Sequence, residues 1–352
     1  MGVAAEQLRI LTAHAWAANG QDAAPAPDAT GVPAASVGVA VPATSANLGP
    51  GYDVFGVALD VSLVAIAVPR EDRRVLPHGL GGAELPTGDD NLVWQAVLAW
   101  CAFAGTRMPD ISIMVDSAIP LQRGMGSSSA AAVAGLLLGR ALTGGQGSST
   151  QLLGLAADLE GHPDNVAAAI SGGLVACDDR GGFQRVTPTA SLQPVVLVPT
   201  QRQSTSEARA ALPTQVPLAI AAANAGRAAA TFAGLAGVVS LRTIDMTDQL
   251  HEPARLALMP TSKALVEALR DGDIPCALSG AGPSVLAVIP AGDPLTMRRL
   301  TDVIVQALAD PTAVEVVPTA WNLAGATVRR APSTVIPRDR ALPRQQPGSL
   351  SS

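Results

Sequence analysis

A glycine- and serine-rich segment at residues 120–131 has the composition of a phosphate-binding turn. It reads Pro-Leu-Gln-Arg-Gly-Met-Gly-Ser-Ser-Ser-Ala-Ala and lies between an apolar segment and a run of small residues. The first turn of a helix carries unpaired N–H groups and a partial positive charge, which together bind phosphate. Gly124 and Gly126 let the backbone approach a ligand closely. The segment predicts a phosphate site, with a serine-capped strand-to-helix turn as the alternative.

This segment matches neither of the common nucleotide-binding motifs. It lacks the GxxxxGK[ST] pattern of a P-loop, and Lys263, the one lysine of the chain, is far from it in sequence. Its glycines also do not follow the GxGxxG order of dinucleotide-binding folds. A mechanism that needs an active-site lysine would therefore have a single candidate residue.

Two further glycine-containing turns carry polar side chains. Residues 41–56 read Val-Pro-Ala-Thr-Ser-Ala-Asn-Leu-Gly-Pro-Gly-Tyr-Asp-Val-Phe-Gly and can present the amide of Asn47 and the carboxylate of Asp53 to a ligand. Residues 278–285 read Leu-Ser-Gly-Ala-Gly-Pro-Ser-Val and form another turn between apolar segments. Taken singly, the first is also consistent with an ordinary Gly/Pro turn and the second with a β-hairpin.

In this order, the three segments resemble the three motifs of the GHMP kinase superfamily, whose first two patterns are PxSANLGPGFD and PxxxGLGSSAA. Residues 159–174, Leu-Glu-Gly-His-Pro-Asp-Asn-Val-Ala-Ala-Ala-Ile-Ser-Gly-Gly-Leu, resemble the homoserine kinase family within it. Residues 204–213 are similar to that family's ST-x-x-AR-x-x-LP segment, and residues 248–255 to its D-x-x-H-x-P-x-R segment. The resemblance covers residues 37–330.

The resemblance implies an α+β fold, the GHMP kinase two-domain fold. The N-terminal ATP-binding domain would occupy residues 37–190 and contain a left-handed βαβ unit, and a ferredoxin-like C-terminal domain would occupy residues 191–330. Composition suggests that residues 1–36 are a disordered or partly helical extension and that residues 331–352 are a disordered, proline-rich tail. The implied reaction is ATP-dependent phosphorylation of the side-chain hydroxyl of L-homoserine, on the way to threonine.

The resemblance also implies how the amino-acid end of the substrate is bound. Arg209 and Arg255 correspond to the family's two carboxylate-binding arginines, and guanidinium forks suit that task. Asp53 and Asn47 correspond to the residues that bind the ammonium group. Without their flanking patterns, the arginines would also fit a solvated surface and Asp53 a turn.

The catalytic candidates carried over from the family are His162, Asn165 and Arg209, with Asn165 near the reacting hydroxyl. His162 and Asn165 are three residues apart at a predicted helix start and can face one side. Helix capping is the alternative for both, and Asp164 could also perform it. An amide cannot accept a proton at neutral pH, so we expect no strong protein base. Phosphoryl transfer can proceed by positioning and charge neutralisation.

The implied cofactors are ATP and Mg²⁺. Glu160 and Ser128 resemble the family's magnesium ligands, although Ser127 and Ser129 adjoin Ser128. Asn91 resembles a residue beside the adenine pocket. The ATP-binding candidates of the phosphate segment are Pro120, Leu121, Gln122, Arg123, Gly124, Met125, Gly126, Ser127, Ser128, Ser129 and Ala130.

The sequence departs from the family pattern at a few positions. Tyr52 stands where phenylalanine is usual, and Ala254 stands where tyrosine is common. The second change predicts the loss of an aromatic ring beside Arg255.

Hydrophobic periodicity and turn residues predict the elements that must position these groups. Strands are expected at residues 37–41, 57–68, 111–115, 174–176, 195–198, 277–278, 285–289, 314–317 and 326–329. Helices are expected at residues 91–104, 127–142, 151–160, 163–170 and 295–309, and through most of residues 204–270. Strands and helices alternate without a regular repeat, which favours an α+β fold.

Composition excludes several other functions. The 352 residues carry a formal net charge of −6 and only 3% aromatic residues, which argues against a nucleic-acid or anionic-membrane binder. The three cysteines are far apart, and the apolar segments are interrupted before reaching membrane-spanning length. We expect a cytoplasmic enzyme with a small-molecule substrate, no nucleic-acid or membrane partner, and, from the family, a homodimer.

The sequence leaves two alternative functions open. One is another small-molecule GHMP kinase, which the segment around His162 and the two arginine contexts disfavour. The other is a GHMP-fold ligand sensor without catalysis, in which magnesium or substrate residues would be expected to be lost. Here Glu160 and Asn165 are both retained.

Overall fold

The computed structural model describes residues 35–70, 72–145 and 147–332, in which the predicted mixture of strands and helices is confirmed. Residues 1–34 of the expected N-terminal extension and residues 333–352 of the expected tail lie outside the described residues. The strands are β1 (Ala35–Ala46), β2 (Phe55–Pro69), β3 (Val75–Gly79), β4 (Ile111–Ser117), β5 (Leu174–Cys177), β6 (Phe183–Val186), β7 (Leu192–Pro199), β8 (Cys276–Leu278), β9 (Val285–Pro290), β10 (Val314–Pro318) and β11 (Thr327–Pro332). The α-helices are α1 (Leu92–Phe103), α2 (Ser127–Leu142), α3 (Ser149–Glu160), α4 (Asp164–Ser171), α5 (Thr205–Ala210), α6 (Leu218–Leu235), α7 (Glu252–Leu256), α8 (Pro260–Asp271) and α9 (Pro294–Ala307).

The larger sheet consists of the first six strands and the last strand and has the order β11-β1-β2-β4-β3, with β5 also paired to β2 and β6 to β5. Its pairs are antiparallel except for β3 and β4, which are parallel and joined through α1. That connection is a βαβ unit. The unit delivers the chain from β4 directly into the glycine- and serine-rich turn and α2.

The smaller sheet carries the C-terminal half and has the order β10-β7-β9-β8, with all pairs antiparallel. In chain order it runs strand, helices, two strands, helix α9 and strand. This is the βαββαβ succession of ferredoxin-like folds. A second apolar cluster, separate from that of the larger sheet, lies between this sheet and α8 and α9.

Small residues in α2 allow this helix to pack closely against α1. A Cβ atom on Gly135 would overlap the carbonyl oxygen of Val93, and one on Gly139 would lie 2.7 Å from the side chain of Trp100. Because larger residues would force the two helices apart, the glycine- and alanine-rich sequence of α2 fixes its position. Its N-terminal turn is thereby held at the end of the larger sheet.

Two strands, β3 and β6, were not predicted from the sequence, and the folded body extends further at both ends than predicted. β3 contains Pro77, which weakens the strand pattern and is tolerated because β3 lies at the sheet edge. β6 is a four-residue edge strand with two exposed positions, so it has little apolar signal. β1 begins at Ala35 and β11 ends at Pro332, where these two residues pair. The ordered pairing thus reaches two residues further at the N-terminal end and two at the C-terminal end than composition predicted.

Helix α6 is long and apolar enough to cross a membrane by length and composition alone. Its polar residues nevertheless bind to the rest of the body. Asn224 donates to the carbonyl of Pro50 and accepts from the backbone N–H of Gln249, and Thr231 donates to the carbonyl of Asp245. These contacts make α6 a packed support for the loop around Pro50.

Candidate active site

The three glycine-containing turns predicted from the sequence meet at one place. The turn between β8 and β9 contacts both others: Ser279 donates to the carbonyl of Gly124, and the N–H of Gly280 donates to the carbonyl of Ala46. Residues 278–285 therefore form a β-hairpin, the alternative that the sequence left open for this segment. The same residues also join the other two turns. A site formed from all three segments follows directly from these bonds.

The first turn of α2 is available to a ligand rather than capped by serine. The residue before the helix is Gly126, which has φ +68° and supplies no side-chain cap. The serine hydroxyls that could have capped it, those of Ser128 and Ser129, donate instead to Glu160. The arrangement suits phosphate oxygens, because the N–H groups of the turn are not occupied by side chains.

Glu160, the last residue of α3, reaches across to the start of α2. Its Oε2 accepts from Ser129 Oγ at 2.6 Å, and its Oε1 accepts from Ser128. Ser129 is buried, whereas Ser128 is exposed. Ser129 therefore anchors the carboxylate, and Ser128 and Glu160 are left at the open side of the phosphate turn.

These oxygens fit Mg²⁺, which prefers one or two protein oxygens together with phosphate oxygens and water. Within the described ranges, no group of three or more His, Cys, Asp or Glu residues could hold a metal ion by itself. A metal bound at Glu160 and Ser128 would need further oxygen ligands from water or a bound ligand.

The loop after β1 has an unusual backbone. Asn47, Leu48 and Asp53 all have positive φ, of +67°, +47° and +52°. Such conformations are costly for residues other than glycine and concentrate at functional sites. The Asn47 amide holds the loop, because its Nδ2 donates to Gly280 O at 2.7 Å and its Oδ1 accepts from the N–H of Asp53 at 3.0 Å.

Arg209 and Asp53, predicted to bind opposite ends of the substrate, are paired with each other. Both guanidinium NH2 groups of Arg209 bind the Asp53 carboxylate, at 3.0 and 3.1 Å. The two side chains remain 42% and 31% exposed. Arg209 also donates to the hydroxyl of Tyr52 at 3.1 Å. The pair is therefore accessible and close enough to serve one small ligand.

Arg255 lies in a different environment, since it is 2% exposed. Its Nη1 donates to Gly280 O at 3.1 Å and contacts a ring nitrogen of His251, while its Nε is buried without a partner among the described residues. Burial lowers the pKa of this guanidinium. The loss of an aromatic neighbour predicted from Ala254 does not occur, because the Tyr52 ring lies 5.4 Å from the guanidinium.

His251 and Asp248 position Arg255; both lie in the segment at residues 248–255 that resembles the family, but neither was assigned a role from the sequence. Asp248 accepts hydrogen bonds from the backbone N–H groups at the start of α7. His251 Nε2 donates to Gly49 O, which leaves Nδ1 to accept from Arg255, and burial lowers the pKa of the imidazole. The signal was present, because His251 precedes Arg255 by four residues, which is about one helical turn.

His162 and Asn165 come together through Asp164 at the start of α4. Asp164 Oδ1 accepts from the ring nitrogen of His162 at 3.0 Å and from the N–H of Asn165 at 2.7 Å. The side-chain oxygen of Asn165 accepts from Thr44 at 2.7 Å. Asp164, the first residue of α4, thus binds the N–H of the residue that follows it, and no side chain caps the helix from the position before it.

Replacing Asp164 with asparagine is expected to lower the pKa of His162. The hydrogen bond that His162 donates to Asp164 is the main cause that raises this pKa, ahead of the charges of Glu160 and Asp53, whereas burial opposes it. An asparagine oxygen can still accept from the N–H of Asn165. An NMR titration of the His162 ring in both proteins measures the change.

The same pair makes stability depend on pH. Because the folded pKa of His162 is raised, its contribution to the free energy of unfolding is complete below about pH 6.5 and is lost as pH rises through the raised value. The difference in stability between wild type and Asp164→Asn should shrink over that window. An unchanged His162 titration in the variant would contradict the assignment.

Asn91 is the predicted site residue that the structure places in another role. Its Oδ1 accepts from the N–H of Val93 at 3.0 Å and caps α1, while its Nδ2 donates to the carbonyl of Pro86 at 2.8 Å. The residue is 4% exposed. Both ends of the amide are thus engaged, and contact with adenine stays a prediction.

Gln122 and Arg123, the two residues before Gly124, bind the phosphate turn to a neighbouring segment of the chain. Arg123 donates to the carbonyl of Thr200, and the carbonyl of Gln122 accepts from the N–H of Gln203. These bonds attach the turn to the chain that leads into α5, which carries Arg209. Hydrogen bonds therefore join the phosphate turn to the segment that carries Arg209.

Comparison with known proteins agrees with this geometry. The family model described as GHMP kinases N terminal domain matches residues 91–173. The chain is 43% identical over 274 residues to the homoserine kinase of Streptomyces avermitilis, covering 76% of this chain and 90% of that protein. It is 38% identical over 303 residues to the homoserine kinase of Leifsonia xyli, covering 84% of this chain and 92% of that protein.

Two solved structures of kinases also resemble this chain. The homoserine kinase of Cytophaga hutchinsonii has a TM-score of 0.73 at 27% identity, covering 88% of this chain and 100% of that chain. The mevalonate kinase of Methanococcus jannaschii has a TM-score of 0.60 at 12% identity, covering 81% of this chain and 98% of that chain, and this likeness shows the fold alone. With the three turns joined at one site and relatives matched over most of their length, the chain belongs to the homoserine kinase family of the GHMP kinases, ATP-dependent kinases that act on a hydroxyl group.

Proposed function

We propose that this chain transfers the γ-phosphoryl group of ATP to the side-chain hydroxyl of L-homoserine, with the residue roles given below. The observation that carries the proposal is Arg255, a buried guanidinium with no carboxylate within 4.0 Å among the described residues. A buried cation without a counter-charge is unfavourable. A substrate carboxylate would complete its coordination.

A zwitterion also fits the exposed pair of Arg209 and Asp53. These two side chains neutralise each other in a two-bond contact. An amino acid brings a carboxylate that can bind the arginines and an ammonium that can bind Asp53. Arg209 and Asp53 can therefore exchange their bonds to each other for bonds to the ligand. A neutral alcohol would have to separate the pair with no such compensation. The ligand class supported here is therefore an amino acid.

Homoserine additionally requires a group beside its terminal hydroxyl, and Asn165 supplies it. The residue lies next to Gly126 of the phosphate turn and is 8% exposed. Its amide can orient the hydroxyl but cannot accept its proton. Because the transition state of phosphoryl transfer is loose, alignment of the hydroxyl with the γ-phosphate is sufficient, and the proton goes to a phosphate oxygen or water.

Glu160 and Ser128 would hold Mg²⁺ in this scheme, with Ser129 orienting the carboxylate. Bound there, the ion would neutralise charge on the phosphates. The residues of the chain do the remaining work: the turn before α2 binds the phosphates, Arg209 and Arg255 bind the substrate carboxylate, and Asp53 binds the ammonium.

Glu160→Gln is expected to raise the Mg²⁺ concentration needed for half-maximal activity by about tenfold or more, because a charged ligand becomes neutral. Binding of an ATP analogue should also lose most of its dependence on Mg²⁺. Asp158→Asn is the matched control, since Asp158 lies exposed on the same helix. Equal Mg²⁺ dependence in the Glu160 variant and this control would remove Glu160 from the metal site.

A substrate panel tests the function as a whole. Purified protein is assayed by coupled ADP release with L-homoserine, L-serine, L-threonine, mevalonate and galactose. Phosphorylation of homoserine at a kcat/KM well above the other alcohols is expected. A preference for mevalonate or galactose would point to another small-molecule kinase, and ATP binding without turnover of any alcohol would point to a sensor.

We place the domain boundary near residue 190, between the two sheets, and propose that the protein acts in the cytoplasm as a homodimer without nucleic-acid or membrane partners. The negative net charge and scarcity of aromatic residues support the absence of nucleic acid. Sedimentation of the purified protein checks the dimer.

A further inference from the structure

Thr44, near the end of β1, is a buried polar residue to which the scheme above gives no role. Its side chain is 0% exposed. Its Oγ1 lies 2.7 Å from Oδ1 of Asn165, and its backbone N–H donates to the carbonyl of Met125 at 3.1 Å. Thr44 thus connects the larger sheet, the phosphate turn and α4 at the residue proposed to orient the substrate hydroxyl.

The surroundings of Asn165 determine which way its amide faces. Asp164 Oδ1 lies 3.5 Å from the amide nitrogen. A carboxylate oxygen can only accept, so the NH2 end belongs on that side. The carbonyl end therefore faces Thr44, and the threonine hydroxyl must be the donor of the 2.7 Å bond.

The phosphate turn packs directly against this bond. A Cβ atom on Gly126 would overlap Thr44 Oγ1 and would lie 3.3 Å from Asn165 Oδ1. The Thr44–Asn165 bond consequently occupies the space that glycine leaves open. A displacement of either partner would be transmitted to the turn that faces the phosphates.

We infer that Thr44 is a positioning residue of the phosphoryl-transfer reaction. Its hydroxyl holds the carbonyl end of the Asn165 amide, so that the NH2 end is the one presented beside the substrate hydroxyl. The inference rests on the role proposed for Asn165. Without the threonine hydroxyl, the amide oxygen is buried without this donor and the side chain can rotate. The alignment of hydroxyl and γ-phosphate would then be lost.

The test compares Thr44→Val, which keeps the shape and removes the hydroxyl, with Thr44→Ser, which keeps the hydroxyl. Thr44→Val should lower kcat on the order of 10- to 100-fold, because alignment is the main catalytic contribution. KM for homoserine and for ATP should stay within about threefold, since binding contacts are unchanged. Thr44→Ser should recover most of the lost kcat.

Ser45→Ala is the matched control. Ser45 is the next residue on the same strand and is 0% exposed, and its hydroxyl has no partner among the described residues. Removing that hydroxyl should leave kcat unchanged. Thermal unfolding of each variant, and Thr44→Ala as a second variant if valine prevents folding, separates loss of structure from loss of alignment.

A double-mutant cycle with Asn165→Ala completes the test. If Thr44 acts through Asn165, the Thr44→Val change should have almost no further effect on kcat in the Asn165→Ala background. Equal losses from Thr44→Val in both backgrounds, or a wild-type kcat in folded Thr44→Val, would overturn the inference. Wild-type activity in Asn165→Ala would instead refute the proposed role of Asn165 itself, so the two failures are distinguishable.

Discussion

Arg255→Leu is expected to raise KM for homoserine about tenfold to hundredfold and also to lower kcat. Charge-assisted hydrogen bonds of the kind a buried arginine makes with a carboxylate are worth roughly 1.5–3 kcal/mol each. The loss of kcat follows because a misplaced carboxylate end also misplaces the hydroxyl. KM for ATP should change little, since the hydroxyl of Ser279, and not Arg255, contacts the phosphate turn. Steady-state kinetics with each substrate varied in turn measures all three values.

Two further variants make this result interpretable. Arg255→Lys keeps the charge without the fork and should recover only part of the homoserine affinity. Arg242→Leu removes an arginine whose side chain is 69% exposed and paired with Asp245, so it controls for the loss of one positive charge. Homoserine kinetics within about twofold of wild type in folded Arg255→Leu would end the assignment of Arg255 to the substrate carboxylate.

Gly126→Val is expected to reduce kcat/KM for ATP by about 100-fold or more. A side chain at this position would occupy the space in which phosphate meets the backbone of the turn. It would also collide inside the protein, because it would overlap Thr44. The positive φ of +68° at this position adds strain of roughly 1–2 kcal/mol. Calorimetric titration with a non-hydrolysable ATP analogue measures the loss of binding directly.

Gly105→Val separates backbone strain from the collision. Gly105 has a φ of +64°, close to that of Gly126, but a Cβ atom there would meet no atom within 4 Å. This control should lose stability and keep ATP binding. Gly126→Ala gives a smaller side chain at the same place if valine prevents folding. Normal analogue binding in a folded Gly126 variant would mean that phosphate does not contact this turn.

The phosphate turn and the helix behind it were predictable because their information is local. The predicted helix at residues 127–142 has the observed bounds of α2, and its run of Ala, Gly and Leu specifies a helix that packs closely. The third glycine turn was likewise predictable as a hairpin. In each case the relevant residues are neighbours along the chain, so spacing and turn chemistry are enough.

Contacts between residues that lie far apart in the sequence could not be predicted from local patterns. Pairing of Arg209 with Asp53 joins positions 156 residues apart, and the bond from Asn47 to Gly280 joins positions 233 apart. Local patterns identified the chemical types but gave no partner for any of them. The burial of Arg255 was equally hidden, since a charged residue in a short helix is more often exposed.

By itself, the sequence predicted a phosphate turn from its glycines and serines, and its resemblance to the family predicted two arginines for a carboxylate and a glutamate for a metal. Tertiary structure alone decided how these groups are used: Arg255 is buried, Asp53 neutralises Arg209, and Thr44 holds the Asn165 amide across 121 residues of chain. The physical reason is that a side chain's type is a local property. Its charge environment and orientation depend on which distant backbone the fold brings against it.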